Sequence, residues 1–511
     1  MIPLEWMPPL MFGGLIVFML IGFPVAFSLM AAGLFFAGIA ISEHYFDVLF
    51  LQAIPQRIFG GVLANDLLLA IPFFTFMGAI LERCGLAEEM LDSMGQLFGR
   101  VRGGLGYSVI IVGFILGAIT GTVAAQVIAM AMISLPVMMR YGYNMRYATG
   151  VLAASGTITQ LVPPSLVLIV LADQLKTQSG SADVGSMYLS AWGPSLLQIG
   201  LFALYTFLLS RFRPDYLPAA PESQLTLRGW SLWKKCLLGI IPSAVLIFLV
   251  LGTIMTGIAT PTESGAMGAM GTLALAWLRR SNIPNLKGLI EQAYQNTMRI
   301  TCMVVFILIG STCFSVVFQG VDGGQWVEAL FSDLPGGWVG FLVAVNLFVF
   351  FLAFFLDFFE IAFIIVPLLA PVAVKLLAPV LLASMNGNPQ AAASAALVWF
   401  GVMLCVNMQT SFMHPPFGFA LFYLRGVAPK EVKSSDIYWG ALPWVGLQLI
   451  MVVLVIAFPA LVTTLLDKPA ALVQSQDFNF TNSEEPAAAI PANTVGDDAP
   501  VVFQLDKPVM K

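Results

Sequence analysis

Charge is scarce in this sequence: only 10% of its 511 residues are Asp, Glu, Lys or Arg, against 59% hydrophobic. So little polarity cannot cover a soluble globule of that length, and the chain reads as a polytopic membrane protein. Histidine is nearly missing, with two residues. There is no nucleophile motif, no cluster of metal ligands and no phosphate-cradling GxxxxGK[ST] loop. These gaps argue against an enzyme, a transition-metal site and ATP hydrolysis by this chain, so uphill work would need an ion gradient or an ATPase on another chain. The five cysteines, at 84, 236, 302, 313 and 405, stand singly without CxxC or paired spacing and read as packing residues. No basic run suggests nucleic acid, and the net charge of −5 owes much to an acidic tail. No basic region precedes the first apolar run, so a cleaved signal peptide is not expected.

What is present is a pair of interrupted apolar runs. Residues 150–173 read GVLAASGTITQLVPPSLVLIVLAD, long enough to cross a bilayer, but Gly156, Thr157, Thr159, Gln160 and Pro163-Pro164 occupy the centre. A helix cannot run through two adjacent prolines, because each lacks an N–H and its ring clashes with the preceding turn. The run is therefore two half-helices joined by unwound backbone. About 250 residues later, residues 401–424 read GVMLCVNMQTSFMHPPFGFALFYL, interrupted in the same place by Asn407, Gln409, Thr410, Ser411, His414 and Pro415-Pro416. Unwound backbone at bilayer depth is tolerated only where protein buries it or it lines a watery cavity, and secondary transporters build their sites that way.

The rest of the chain repeats in the same order. Residues 8–41 are too long for one crossing and break at Gly22-Phe23-Pro24 into two spans; a third is expected at about 61–81, followed by a polar loop. Residues 104–137 read as a re-entrant hairpin with Thr120-Gly121-Thr122 at its tip, the alternative being one long tilted helix. Then come the broken helix (147–175) and a closing span near 187–209. After a basic stretch, 211–235, the order recurs in 236–466: two spans meeting at Gly257-Ile258-Ala259-Thr260-Pro261, a third span, a loop, a hairpin at 338–378 interrupted near Asp357 to Glu360, a broken helix (394–424) and a last span. Five full crossings per half is an odd number, so the second copy must be inverted relative to the first. Lys and Arg positions agree, placing 100–102, 140–146, 211–235, 279–280 and 425–433 in the cytoplasm and both termini outside, with Arg57 as the one exception. Residues 467–511 are expected to be a disordered external tail. The fold class is thus an all-α polytopic membrane protein of two inverted-topology repeats, each with a re-entrant hairpin and a broken transmembrane helix.

Hydroxyls and freed carbonyls at such breaks suit a small hard cation, and half-helix N-termini suit an anion. The candidates are Thr120, Gly121, Thr122, Gly156, Thr157 and Ser165, with Asp357, Glu360, Asn407, Gln409 and Thr410 as the mirror set. Each hydroxyl could instead merely satisfy broken backbone. Asp357 is an intramembrane carboxylate, functional by default, or else the cap of its half-hairpin. Thr260-Pro261-Thr262-Glu263 fits a capping box. His414 either contacts a carboxylate, relays a proton or packs. Asn65-Asp66 has no assigned role.

At these motifs the sequence resembles the large membrane subunit of tripartite ATP-independent periplasmic (TRAP) transporters. The matches are TGTVAA (120–125), SGTITQLVPPS (155–165), GIATPTESGA (257–266), FLDFFEIAFIIVPLLAP (355–371) and VNMQTSFMHPPFG (406–418). The resemblance implies a bacterial inner-membrane permease that works with a small four-helix membrane subunit and a soluble periplasmic binding protein, importing organic acids with sodium by alternating access of the elevator type. It implies sodium sites near Thr120, Gly121, Gly156, Thr157, Pro163, Asn407, Thr410 and Pro415, and cargo contacts near Thr122, Ser165, Asp357, Gln409 and His414. No cofactor beyond sodium as coupling ion is implied. Long loops at 174–186 and 381–393, His414 and the tail resemble a subgroup associated with 2-oxo acids or related monocarboxylates. Two alternatives stand beside this reading: a stand-alone sodium/carboxylate symporter, and a proton-pumping respiratory subunit, which would need a midplane row of Lys, Glu and His.

Overall fold

The computed structural model describes residues 3–466 apart from Gly121, 222–228, Asn282, Pro284, Asp333, Phe355, Pro416 and Phe417, with the side chains of Leu20, Ile119 and Thr120 also outside the description. The tail from 467 onward lies outside the described residues.

The chain is helical throughout, and eight helices are long and apolar enough to cross a membrane, with two bent pairs adding to them, among the described residues. In the first repeat α1 (Met7–Leu20) and α2 (Val25–Ser42) part at Gly22, whose φ of +91° is open to glycine without strain, and at Pro24. After α3 (Ala53–Arg57) and a π turn, the third span is α4 (Ala70–Arg83). It begins later than the hydropathy suggests, because Asn65 accepts a hydrogen bond from the Leu67 N–H and bends the chain by 49° there.

The supposed polar loop is a helix, α5 (Leu86–Phe98). It buries Leu86, Met90, Leu91 and Met94 at helical spacing and leaves its charges outward. The hairpin follows as α6 (Gly104–Thr120) and α7 (Val123–Arg140), turning at Thr122, which is extended with φ −129° and ψ 126°. One tilted helix is thereby ruled out. The broken helix is α8 (Met145–Thr157) and α9 (Leu166–Gln174), and α10 (Val184–Phe212) closes the repeat.

The second repeat gives each element a counterpart: α11 (Trp230–Met255), α12 (Pro261–Leu278), α13 (Leu286–Gly320), the short α14 (Gly323–Ser332) in place of a second supposed loop, and α15 (Gly337–Leu352). Then come α16 (Phe358–Glu360), running through a π turn into α17 (Val366–Leu381), α18 (Pro389–Met408), α19 (Phe419–Val427) and α20 (Ser434–Ala457), with α21 (Ala460–Thr463) as a last turn. The capping box read in the sequence at Thr260 and Glu263 is formed.

The repeats interlock. The second span of each packs on the third span of the other, α2 on α13 and α12 on α4, and the last span of each packs on the broken helix of the other, α20 on α8 and α10 on α18. Small residues make this close: a Cβ at Gly33 would lie 3.1 Å from the Phe314 backbone, and one at Gly440 would lie 2.2 Å from the Arg146 carbonyl. The first long loop also reaches α18, with Ser181 N–H donating to Ser394 Oγ at 3.3 Å.

Candidate functional site

The first break is threaded by a residue the sequence reading passed over. Gln126 on α7 is buried, and its Nε2 donates to the Gly113 carbonyl at 2.6 Å and the Ser155 carbonyl at 3.1 Å, joining both hairpin arms to α8. The Thr159 hydroxyl reaches Gln126 Oε1 and sits 2.8 Å from the Gly156 carbonyl. Close approach is possible because α6 presents glycines: a Cβ at Gly113 would fall 2.8 Å from Ser155 Cβ, and one at Gly117 would fall 3.1 Å from Thr159 Cα. Gly156 is as confined, since a Cβ there would lie 2.2 Å from Val127 Cγ2. That glycine stripe was the available signal for which face of the hairpin meets the break.

Thr157 ends α8, its hydroxyl donating to the Ala154 carbonyl at 2.9 Å and accepting from Gln448 Nε2 at 3.0 Å. Ser165 caps α9, accepting from the Val167 N–H at 3.1 Å and donating to the Gln160 carbonyl. Pro163 belongs to a cis Pro163-Pro164 peptide. Thr122 precedes α7 without capping it. Gly121 and the Thr120 side chain lie outside the described residues.

At the second break Asn407 Nδ2 donates to the backbone and side-chain oxygens of Asn346 on α15, at 2.8 and 3.0 Å, which ties broken helix to hairpin. Thr410 Oγ1 donates to the Asn407 carbonyl at 2.7 Å. Gln409 Oε1 accepts from Gln198 Nε2 at 3.1 Å. Asp357 caps the second hairpin arm: it accepts from the Phe358 N–H at 2.6 Å while Glu360 accepts from the Asp357 N–H at 3.0 Å, a full capping box. His414 lies between Phe354 (4.1 Å between ring centroids, stacked) and Phe350 (4.4 Å, edge-on), beside the Ala353 backbone. Pro415 is half-buried beside it.

The breaks lie side by side. Cys405 Sγ is 3.2 Å from the Gln160 carbonyl, and Met413 Sδ is 3.8 Å from Thr157 Oγ1. Around them, Gln160 Oε1, Gln198 Oε1, Asn407 Oδ1 and Gln448 Oε1 are buried side-chain oxygens without a hydrogen-bond partner among the described residues. Uncharged oxygens left over in an apolar interior favour binding of a hard cation. No group of three or more His, Cys, Asp or Glu suited to a metal ion occurs among the described residues.

Inverted repeats that bring two broken helices and two re-entrant hairpins together within a bilayer define a membrane transport protein. The family model for the DctM component of tripartite ATP-independent periplasmic transporters matches residues 12–461, and the chain belongs to that family as a large permease subunit, a multi-pass protein of the inner membrane. It is 28% identical over 469 residues to the C4-dicarboxylate TRAP transporter large permease protein DctM of Rhodobacter capsulatus, covering 88% of this chain and 97% of that protein. It is 26% identical over 439 residues to the sialic acid TRAP transporter large permease protein SiaM of Vibrio cholerae, covering 86% and 93%. Among solved structures the Alcanivorax borkumensis YdaH transporter, described as having an unusual topology, superposes with a TM-score of 0.54 at 16% identity over 81% of this chain and 90% of that one, a likeness of fold alone.

Proposed function

We propose that this permease imports small organic acids, carboxylates with 2-oxo acids and other monocarboxylates among them, together with sodium ions. A periplasmic binding protein delivers the cargo and a small four-helix membrane subunit completes the transporter. Residues 1–210 and 236–466 act as the two repeats, joined by a cytoplasmic connector at 211–235, with both termini periplasmic. The observation that carries the reading is the pair of adjoining breaks with their spare oxygens. Sodium is assigned to Thr120, Gly121, Gly156, Thr157, Pro163, Asn407, Thr410 and Pro415, and cargo to Thr122, Ser165, Asp357, Gln409 and His414.

Relatives named for C4-dicarboxylate and sialic acid transport support an acid as cargo, and family membership disfavours a stand-alone symporter. Alternating access of the elevator type fits the packing, since the α2–α13 and α4–α12 pairs form a frame distinct from the hairpins, broken helices and last spans. Energetics favour more than one sodium ion. One negative charge moving inward costs about 2.3 kcal/mol per 100 mV, which a single Na⁺ cancels and a second turns into a net drive. In proteoliposomes holding all three components, uptake should require an inward sodium gradient and the binding protein. Equal uptake with potassium alone would overturn the proposal.

A further inference from the structure

Gln198 and Gln448 occupy matching places in the two repeats. Counting from Val184 and Ser434, each is the fifteenth residue of its repeat's last span, and each is fully buried in an otherwise apolar stretch. Their partners match as well. Thr157 lies six residues before Pro163, and Gln409 six residues before Pro415. Gln448 Nε2 donates to Thr157 Oγ1 at 3.0 Å, and Gln198 Nε2 donates to Gln409 Oε1 at 3.1 Å. Each glutamine therefore reaches out of its own repeat and holds the break of the other. In both, Oε1 is left without a partner among the described residues.

Chance packing does not explain this. A buried carboxamide that uses one end and strands the other is unfavourable by general hydrogen-bond energetics, yet the arrangement occurs twice, in the same register and crossed in the same sense. A stranded amide oxygen beside unwound backbone is also a ready acceptor for a cation's field. Gln448 touches both breaks, because its Nε2 is 3.7 Å from Met413 Sδ as well as bonded to Thr157.

We propose that Gln198 and Gln448 are positioning residues that set the cation affinity of the break in the opposite repeat, and so link occupancy of the two breaks. This rests on the sodium-coupled reading above. The amide N–H fixes the side chain at the end of the first half-helix, which keeps the freed carbonyls of that half-helix in one arrangement. Removing it lets the break relax, and the cation then bears the cost of reordering it.

The test uses the complete three-component transporter in proteoliposomes, with uptake followed as sodium is varied at fixed cargo. Gln448→Leu and Gln198→Leu are each expected to raise the half-activating sodium concentration by about three- to tenfold, the yield of one lost buried hydrogen bond, with a smaller change in maximal rate. The pair Gln448→Leu and Thr157→Val should be less than additive, since both remove the same bond. A purely structural role would lower the amount of active transporter and leave the half-activating concentration alone. Should leucine prevent folding, Gln448→Met keeps the length of the side chain, and sodium-dependent thermal stabilisation of the purified complex reads the same affinity. Sodium-dependent uptake with unshifted half-activation in the variants overturns the glutamine assignment alone. Uptake by the unaltered transporter that is indifferent to sodium overturns the coupling reading and this inference with it.

Discussion

At the first break the hydroxyls of Thr157, Thr159 and Ser165 are all engaged, and Gln126 stitches α6, α7 and α8 together around them. At the second, Asn407 Oδ1 and Gln409 Nε2 have no hydrogen-bond partner among the described residues, and two carboxylates and several aromatic rings stand close by. Even the hairpin tips differ: Asp357 caps its arm fully, whereas Thr122 does not cap its own. Two copies of one plan have thus diverged: the first is stitched to its hairpin by Gln126, with Ser155 Oγ and Gln160 Oε1 left over, whereas the second leaves the Asn407 Oδ1 acceptor and the Gln409 Nε2 donor spare beside aromatic rings. Under the proposed function both breaks hold sodium and both border the cargo, and the spare Gln409 donor beside aromatic faces makes the second the stronger contact for an organic acid.

The largest test of this contrast compares Gln126→Leu with Asn346→Leu. Gln126→Leu removes both bonds that join the hairpin to α8, at about 1 kcal/mol for each, and leaves a gap between the elements, so it should abolish uptake along with most of the monodisperse protein on size exclusion. Asn346→Leu removes the side-chain acceptor and the Nδ2 bonds to the Leu342 carbonyl and Met403 Sδ, but the Asn346 carbonyl still accepts from Asn407, which keeps hairpin and broken helix tied, so folded protein should be recovered. Equal yields from the two variants would erase the distinction between a stitched break and an open one.

An intermediate effect is expected at His414. His414→Phe preserves the stacking against Phe350 and Phe354 and should move the melting temperature little. If the imidazole meets a cargo carboxylate, the apparent affinity for cargo should fall by about tenfold, as the loss of a hydrogen bond to a charged group implies. An unchanged apparent affinity assigns His414 to packing and narrows the contrast to Asn407 and Gln409.

Much of this was readable in the residues. Two Pro-Pro pairs about 250 positions apart fixed both breaks, and the parity of crossings gave the inversion before any coordinates. The helices α5 and α14 were missed although their signal was present: Leu86, Met90, Leu91 and Met94 repeat at the helical period, but the charges between them drew the segment toward a loop. Gln126, Asn346, Gln198 and Gln448 were invisible for another reason. Each is a lone amide in an apolar helix, and only packing shows what it holds: hairpin on broken helix within one repeat for Gln126 and Asn346, one repeat on the other for Gln198 and Gln448. Ser165 and Asp357 show the converse, since both stand where the sequence put them and both cap helices, whatever else they touch.

The smallest effect expected concerns the far ends of the broken helices. Asp173 follows the second proline of its pair by nine residues, and so does Arg425. Asp173 is buried, pairs with Lys176 at 2.7 Å and accepts from Asn65 Nδ2 at 2.8 Å, which ties α9 to the bend before the third span of its own repeat. That bend is itself held to α12, because Thr262 Oγ1 donates to the Asp66 carbonyl at 2.7 Å. Arg425 instead donates to the Val432 carbonyl at 2.6 Å, within the loop that follows it. One end is therefore tied across to the frame and the other is not. Asn65→Ala leaves Lys176 on the carboxylate but also removes the cap on the Leu67 N–H, so the loss of stability should be about 1 kcal/mol. Uptake is where the difference should show: releasing a tie between frame and broken helix should change the initial rate by about twofold, whereas Arg425→Ala, which releases only a loop, should leave the rate within error at equal protein. The same small change from both variants would mean that the two ends are mechanically equivalent and that the asymmetry is confined to the breaks.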